Sequence, residues 1–259
     1  MVEHRELKNK PLVEAMLEIR WQLEESDAGE GKDPHYKLLL GRLFDRLQPD
    51  YPEHEQLPTA TIPDELVGHV VQHRFRIASN EWPLVQIGPG ILTVNETTKY
   101  QWHDFQQRIQ DVFAKFKDAH PKFTELNFQS LALRYIDAIV FDYSKDNVFD
   151  FWRNNLKSDL RLPSSLFSDT GVDELPVHSN LQTTFRCHNP SGVVKLNLAT
   201  GQQHDNPAII MDTAVISAGG DLPSLPTEFS AWINSAHEVA SDWFFKLIAG
   251  DLERRFTDE

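Results

Sequence analysis

Histidines that stand beside carboxylates are the residues of this chain best suited to acid–base chemistry. His237 and Glu238 are followed by Asp242, and His103 precedes Asp104. An imidazole next to a carboxylate can transfer protons near neutral pH. Glu238 and Asp242, however, are four residues apart, which is also the spacing of a solvated acidic edge on a helix. The sequence favours this structural interpretation and predicts no catalytic residues here.

Three further motifs are weaker. The segment GPG at residues 88–90 lacks a following Gly-Lys-Ser/Thr and lies between two alternating strands, so it predicts a turn and not a phosphate loop. His69 and His73 have no carboxylate or third histidine at ligand spacing. Cys187 has only His188 beside it, whose side chain should point to the opposite face of a strand. The sequence therefore predicts no metal site, cofactor or catalytic thiol.

Composition and charge restrict the classes of function. The chain has 259 residues, 40% of them hydrophobic, and a net charge of −14 from 39 acidic and 25 basic residues. This balance argues against a nucleic-acid binder and suits a soluble protein or one with a basic partner. A single cysteine allows no internal disulfide. Since neither a signal peptide nor a membrane-spanning apolar run is present, we expect a cytoplasmic protein.

Two segments of the chain share a pattern. LEIRW at residues 17–21 and LALRY at 131–135 each place an arginine inside a strand-like alternation of apolar and polar residues. A helical pattern follows each of them, KDPHYKLLLGRLFDRL and KDNVFDFWRNNLKSDL, at the same offset of 113 or 114 residues. Two matches at one offset indicate an internal duplication.

The remaining elements extend this duplication. HRFRIASNEWPLVQIG at 73–88 resembles TTFRCHNPSGVVKLNL at 183–198, and each half closes with an amphipathic helix. The fold class predicted is α+β: duplicated strand–helix–three strands–helix units that form a largely antiparallel curved sheet with helices on one face. Residues 1–120 and 121–259 are the predicted halves of one compact, pseudo-twofold domain.

Four arginines are predicted to lie on the sheet face away from the helices. Alternation places Arg20 and Arg134 there, and likewise Arg76 and Arg186. A pseudo-twofold axis would exchange Arg20 with Arg134, and Arg76 with Arg186. Guanidinium groups suit carboxylate or phosphate, so the four are candidate binding residues for an anionic ligand or an acidic partner segment. The alternative is ordinary cross-strand ion pairing with glutamates on the same face.

The chain also resembles a known family. The segments PLVEAMLEIRW, WPLVQIGPGILTVNETTKYQWHDF, LRYIDAI and AHEVASDWFF are similar to an uncharacterised prokaryotic family labelled only "sporadically distributed protein". The resemblance covers most of the chain. No activity is established for that family, so the resemblance implies no catalytic residues. Its patchy distribution implies horizontal transfer, and such genes often belong to mobile or phage-defence loci.

The leading hypothesis is a non-enzymatic cytoplasmic interaction protein. It would be an antitoxin, immunity or accessory subunit of a bacterial phage-defence or toxin–antitoxin locus, with a protein partner encoded by a neighbouring gene; a homodimer is left open. One alternative is a small-ligand sensor that binds between the sheet and the C-terminal helix, where Trp232, Trp243 and Phe244 line a pocket unless they simply fill the core. The other is an unrecognised hydrolase or nuclease.

Overall fold

The computed structural model of the protein describes residues 7–25, 31–63, 66, 68–97 and 99–257. The first half of the chain contains β1 (Leu12–Trp21), β2 (Glu24–Glu25), β3 (Gly31–Lys32), α1 (Tyr36–Leu47), β4 (Glu53–Gln56), β5 (His73–Arg76), β6 (Leu84–Gly88), β7 (Ile91–Glu96) and α2 (Trp102–Ala119). The second half contains β8 (Phe128–Val140), α3 (Val148–Asn155), β9 (Asn180–His188), β10 (Ser191–Gln203), β11 (Asn206–Ala218), α4 (Phe229–Ile248) and α5 (Asp251–Thr257).

The strands of the described residues form one nine-stranded sheet, and β2 and β3 form a separate small hairpin. The order in the large sheet is β4-β5-β6-β7-β1-β8-β11-β10-β9, and every pairing is antiparallel. From the central β1–β8 pair outwards, the two directions follow corresponding elements: β7, β6, β5 on one side and β11, β10, β9 on the other. The α+β fold class with duplicated units is therefore confirmed.

The two halves are not identical. The first half has an additional edge strand, β4, and the second ends in an additional short helix, α5. The sequence of β4, EHEQ, is wholly polar and exposed, so it gave no alternating signal from which a strand could be predicted. Tertiary pairing with β5 makes it a strand.

Helices cover one face of the sheet, the helix face. Alternate residues of β1 are buried there, as the near-complete burial of Leu17, Ile19 and Trp21 shows. The first core cluster joins these residues to α1, α2 and the first half of α4. The second joins the far ends of β8, β10 and β11 to α3, α5 and the end of α4. The amphipathic stripes of the sequence thus meet the apolar face of the strands.

The segment at residues 88–90 is a tight connection between β6 and β7, as predicted. Gly88 is required because an added Cβ would lie 1.9 Å from the carbonyl oxygen of Val70, where another stretch of backbone crosses. Gly90 has a φ of +75°, which favours glycine. Its backbone N–H donates to the carboxylate of Asp33 over 3.3 Å. The loop thus serves close backbone packing.

Candidate functional site

The face of the sheet opposite the helices, the open face, contains every second residue of each strand. In the two central strands these are Glu14, Met16, Glu18 and Arg20 of β1, and Ser130, Ala132, Arg134, Ile136 and Ala138 of β8. Both core clusters take their strand residues from the helix face. The described helices therefore leave the open face of the sheet uncovered.

The pairing of β1 with β8 gives the two central arginines equivalent positions. Glu18 and Ala132 lie directly opposite each other at the centre of the sheet. Arg20 follows Glu18 by two residues, and Arg134 follows Ala132 by two. Because the two strands are antiparallel, a twofold axis through the Glu18–Ala132 pair exchanges Arg20 with Arg134. The register agrees with the relation predicted from LEIRW and LALRY.

The outer arginines are related differently from the prediction. The row of cross-strand neighbours through the same centre is Glu55, Arg74, Gln86, Thr93, Glu18, Ala132, Ile216, Val193 and Arg186. Arg74 therefore corresponds to Arg186, and Arg76 lies two residues away in the next row. The Phe-Arg match in the sequence identified the correct strands, but the strand pairings set a register two residues from that match.

Arg134 has a carboxylate partner that the sequence did not identify. Its Nε and Nη2 donate to Oδ1 and Oδ2 of Asp212 on β11, over 2.8 and 2.5 Å. Asp212 lies on the diagonal, since its direct neighbour on β8 is Ile136. The hydrogen bonds to this carboxylate raise the pKa of Arg134, so the guanidinium remains charged. A fork of this kind is the strongest form of side-chain ion pair.

Intramolecular carboxylates also accompany the other three candidate arginines. The contacts are Arg20 Nε to Glu18 Oε1 at 2.7 Å, Arg76 Nε to Glu55 Oε2 at 3.1 Å, and Arg186 Nη1 and Nη2 to the Asp221 carboxylate at 2.9 and 2.8 Å. An anionic ligand would therefore have to displace a carboxylate at each of them. The ion-pairing alternative describes the conformation seen in the structure.

A hydrogen-bonded chain crosses the first half of the open face. Arg74 Nε donates to Gln86 Oε1, and Gln86 Nε2 donates to Thr93 Oγ1, over 3.0 and 3.2 Å. Thr93 then donates to Asn95 Oδ1, and Asn95 Nδ2 to Glu14 Oε1, each over 2.6 Å. Thr93 and Asn95 are buried. Their polar groups satisfy one another, so few donors here are available to a partner.

The second half of the open face carries a patch of apolar side chains next to polar residues of β10 and β9. The apolar patch consists of Ala132, Ile136, Val193, Ala199, Ile210 and Ile216, all partly exposed. It surrounds the Arg134–Asp212 pair, and Lys195 and Thr184 stand exposed at its outer side. This half of the face therefore combines apolar surface with a charged centre.

The three aromatic residues proposed for a ligand pocket lie among the core clusters. Trp232 is buried in the first cluster, and its Nε1 donates to Ser217 Oγ over 2.7 Å. Trp243 packs against both clusters and contacts Phe185, with ring centroids 5.4 Å apart. Phe244 packs against the second cluster. In this structure all three contribute packing between α4 and the sheet.

A chain of polar groups lies beneath α4 on the helix face. The hydroxyls of Tyr100 and Tyr135 are 3.1 Å apart, and the Tyr135 hydroxyl is 2.9 Å from His237 Nδ1. The imidazole of His237 stacks on Trp102 with 3.7 Å between ring centroids. Burial raises the pKa of both tyrosines, which keeps their hydroxyls protonated. Nδ1 of His237 thus points towards the sheet.

Asp137 is a buried acid beside these hydrogen-bonded tyrosines. It is 3% exposed, and burial, reinforced by the negative charge of Asp212, raises its pKa to about 7. Strand alternation already placed it on the helix face, opposite to Arg134. That placement was the available signal for an unusual carboxyl group, because an acid among core residues must be neutral or paired.

The other candidate motifs lie apart. Cys187 is buried on β9. His73 lies on β5, and His69 Nε2 is 2.9 Å from the backbone oxygen of Trp21. Among the described residues, no group of three or more histidine, cysteine, aspartate or glutamate side chains could hold a metal ion. In the same part of the chain, no helix is long and apolar enough to cross a bilayer.

Comparison with known proteins gives little guidance. No family model matches the chain, and no curated protein does. Among solved structures, the crystal structure of the di-domain ARO/CYC StfQ from the steffimycin biosynthetic pathway is similar over 71% of this chain and 73% of its own. The TM-score is 0.21 and the sequence identity is 8%.

Proposed function

We propose that this protein is a non-enzymatic cytoplasmic interaction protein that binds a protein partner through the second half of its open face. The observation that carries the proposal is the apolar patch around the Arg134–Asp212 pair. Partly exposed aliphatic side chains on an uncovered sheet face favour burial against a partner. The paired charges at the centre would give the contact its orientation.

Charge supports a protein partner of basic character. The chain has a net charge of −14, which speeds association with a positively charged surface and disfavours nucleic acid. We further propose that the partner is encoded by a neighbouring gene and that the protein serves as an antitoxin, immunity or accessory subunit of a bacterial phage-defence or toxin–antitoxin locus. This part rests on the family resemblance alone.

Co-purification from the native locus tests the proposal. The tagged protein should elute with the product of the adjacent gene, and Ile216→Lys should abolish co-elution because it places a cation within the apolar patch, opposite a basic partner. Leu38→Lys is the matched control: it introduces the same charged side chain at an exposed position of α1, on the helix side. The control should co-elute as the wild type does.

Two outcomes would contradict the proposal. If the wild-type protein elutes alone from cells that express the whole locus, no stable partner is encoded there. If both lysine variants lose the partner equally, charge alone directs binding and the open face has no special role. Melting temperatures of all variants should agree within a few degrees, since Leu38 is exposed and Ile216 is partly exposed.

A further inference from the structure

A cleft separate from the open face lies at the start of α1. It is open to solvent and has a volume of about 510 Å³, within the range of small-molecule sites. Its walls are the first turns of α1, residues 60–63, and Gln72 with the first residue of β5, His73. The lining residues used below are Leu40, Ile62, Pro63, Gln72 and His73.

Gln72 is the unusual residue of this cleft. It is 2% exposed, and its side-chain Nε2 has no hydrogen-bond partner among the described residues. Its backbone is fully engaged, because its N–H donates to Ile87 O and its carbonyl accepts from Leu57 N–H, each over 2.9 Å. A buried donor without an acceptor is costly, so a group that lines a cleft in this state requires an acceptor from outside the chain.

The surrounding residues define what kind of molecule supplies that acceptor. Leu40, Ile62 and Pro63 provide apolar contacts. The imidazole of His73 is held in place by His54, whose Nε2 lies 2.8 Å from His73 Nδ1. An apolar body fits these contacts, and an sp² oxygen fits the amide donor.

We propose that this cleft binds a small molecule with an apolar or aromatic body and a carbonyl or carboxylate oxygen, which accepts a hydrogen bond from Gln72 Nε2. The site does not depend on the partner surface of the open face. Ligand binding and partner binding can therefore be tested separately.

The test uses benzamide and benzoate as probes, with toluene as the probe that lacks an acceptor. In nitrogen-15 NMR spectra of the full chain, both acceptor probes should shift the Gln72 side-chain amide and the backbone amides of residues 60–62. Toluene should bind about tenfold more weakly, as expected for the loss of one buried hydrogen bond. The difference between benzamide and benzoate shows whether the natural ligand is neutral or anionic.

Three variants make the test decisive. Gln72→Leu should weaken both acceptor probes about tenfold without lowering the melting temperature, because the protein loses no internal hydrogen bond at Nε2. Ile62→Trp, at a surface position of the cleft, should block all probes by filling the space. Gln182→Leu, an exposed glutamine on β9, should change nothing.

The proposal is overturned if saturating concentrations of the acceptor probes shift other resonances but leave the Gln72 side-chain amide resonance unshifted. It is equally overturned if Gln72→Leu binds benzamide and benzoate as tightly as the wild type. A marked fall in the melting temperature of Gln72→Leu would assign the amide to an internal structural role and would also reject a ligand.

Discussion

Asp137 makes the stability of this protein depend on pH in a direction opposite to that expected from carboxylates held in ion pairs. Burial raises its folded-state pKa from 3.8 to about 7. The folded protein therefore holds a proton on Asp137 between pH 4 and 7 that the unfolded chain releases. The contribution of Asp137 to the free energy of unfolding is greatest below pH 4 and falls as the pH rises to 7. The change to make is Asp137→Asn, which resembles the protonated acid at every pH.

The magnitude follows from the size of the pKa shift. One pKa unit corresponds to about 1.4 kcal/mol, so a shift of about three units costs the folded state roughly 4 kcal/mol once the group is ionised. Most of this cost develops between pH 4.5 and 8.0. The free energy of unfolding of Asp137→Asn, relative to wild type, should therefore rise by about 3 kcal/mol over that interval.

Urea unfolding at pH 4.5, 6.0, 7.0 and 8.0 measures this difference. Asp146→Asn is the matched control, because Asp146 is exposed and the same change there should give a constant difference across the series. A pH-independent difference for Asp137→Asn, or a variant less stable than wild type at pH 8, would refute the reasoning. A pH-independent difference would mean that folding does not raise the pKa of Asp137, and a variant less stable than wild type at pH 8 would mean that the ionised carboxylate is stabilised in the folded protein.

Three more substitutions test the packing and the ion pairs. Arg134→Ala should lower the free energy of unfolding by about 1–3 kcal/mol because it strands a carboxylate among apolar residues, whereas Arg20→Ala should cost under about 1 kcal/mol; urea unfolding compares them. Trp232→Phe should cost about 2 kcal/mol in the same assay if the indole fills the core, and almost nothing if it lines an empty pocket. Gly88→Ala should lower the melting temperature by several degrees or prevent folding, whereas Gly41→Ala, in a helix with no atom within 4 Å of the new Cβ, should raise it slightly.

Periodicity made the sheet and its faces predictable from the sequence. Strand alternation placed Arg20 and Arg134 on one face and Asp137 on the other, because side chains alternate along any strand. The partner of Arg134 could not be predicted from the sequence, since Asp212 is a diagonal neighbour and its position depends on the register between β8 and β11. The same limit explains why the row of Arg186 contains Arg74 and not Arg76, the residue that the sequence match indicated. Local pattern identifies a strand, but pairing fixes which residues become neighbours.

The pseudo-twofold axis also shows where the two halves have diverged. On the open face, Thr93 of β7 is buried in a hydrogen-bonded chain, whereas its counterpart on β11, Ile216, is partly exposed. Folding alone does not require this difference, because both strands occupy equivalent places beside the central pair. Exposure of an isoleucine side chain to water is unfavourable, whereas the polar side chains of the first half form hydrogen bonds with one another. The asymmetry therefore favours the second half as the surface that meets a partner, and it makes Ile216, within the apolar patch, the most informative residue to change.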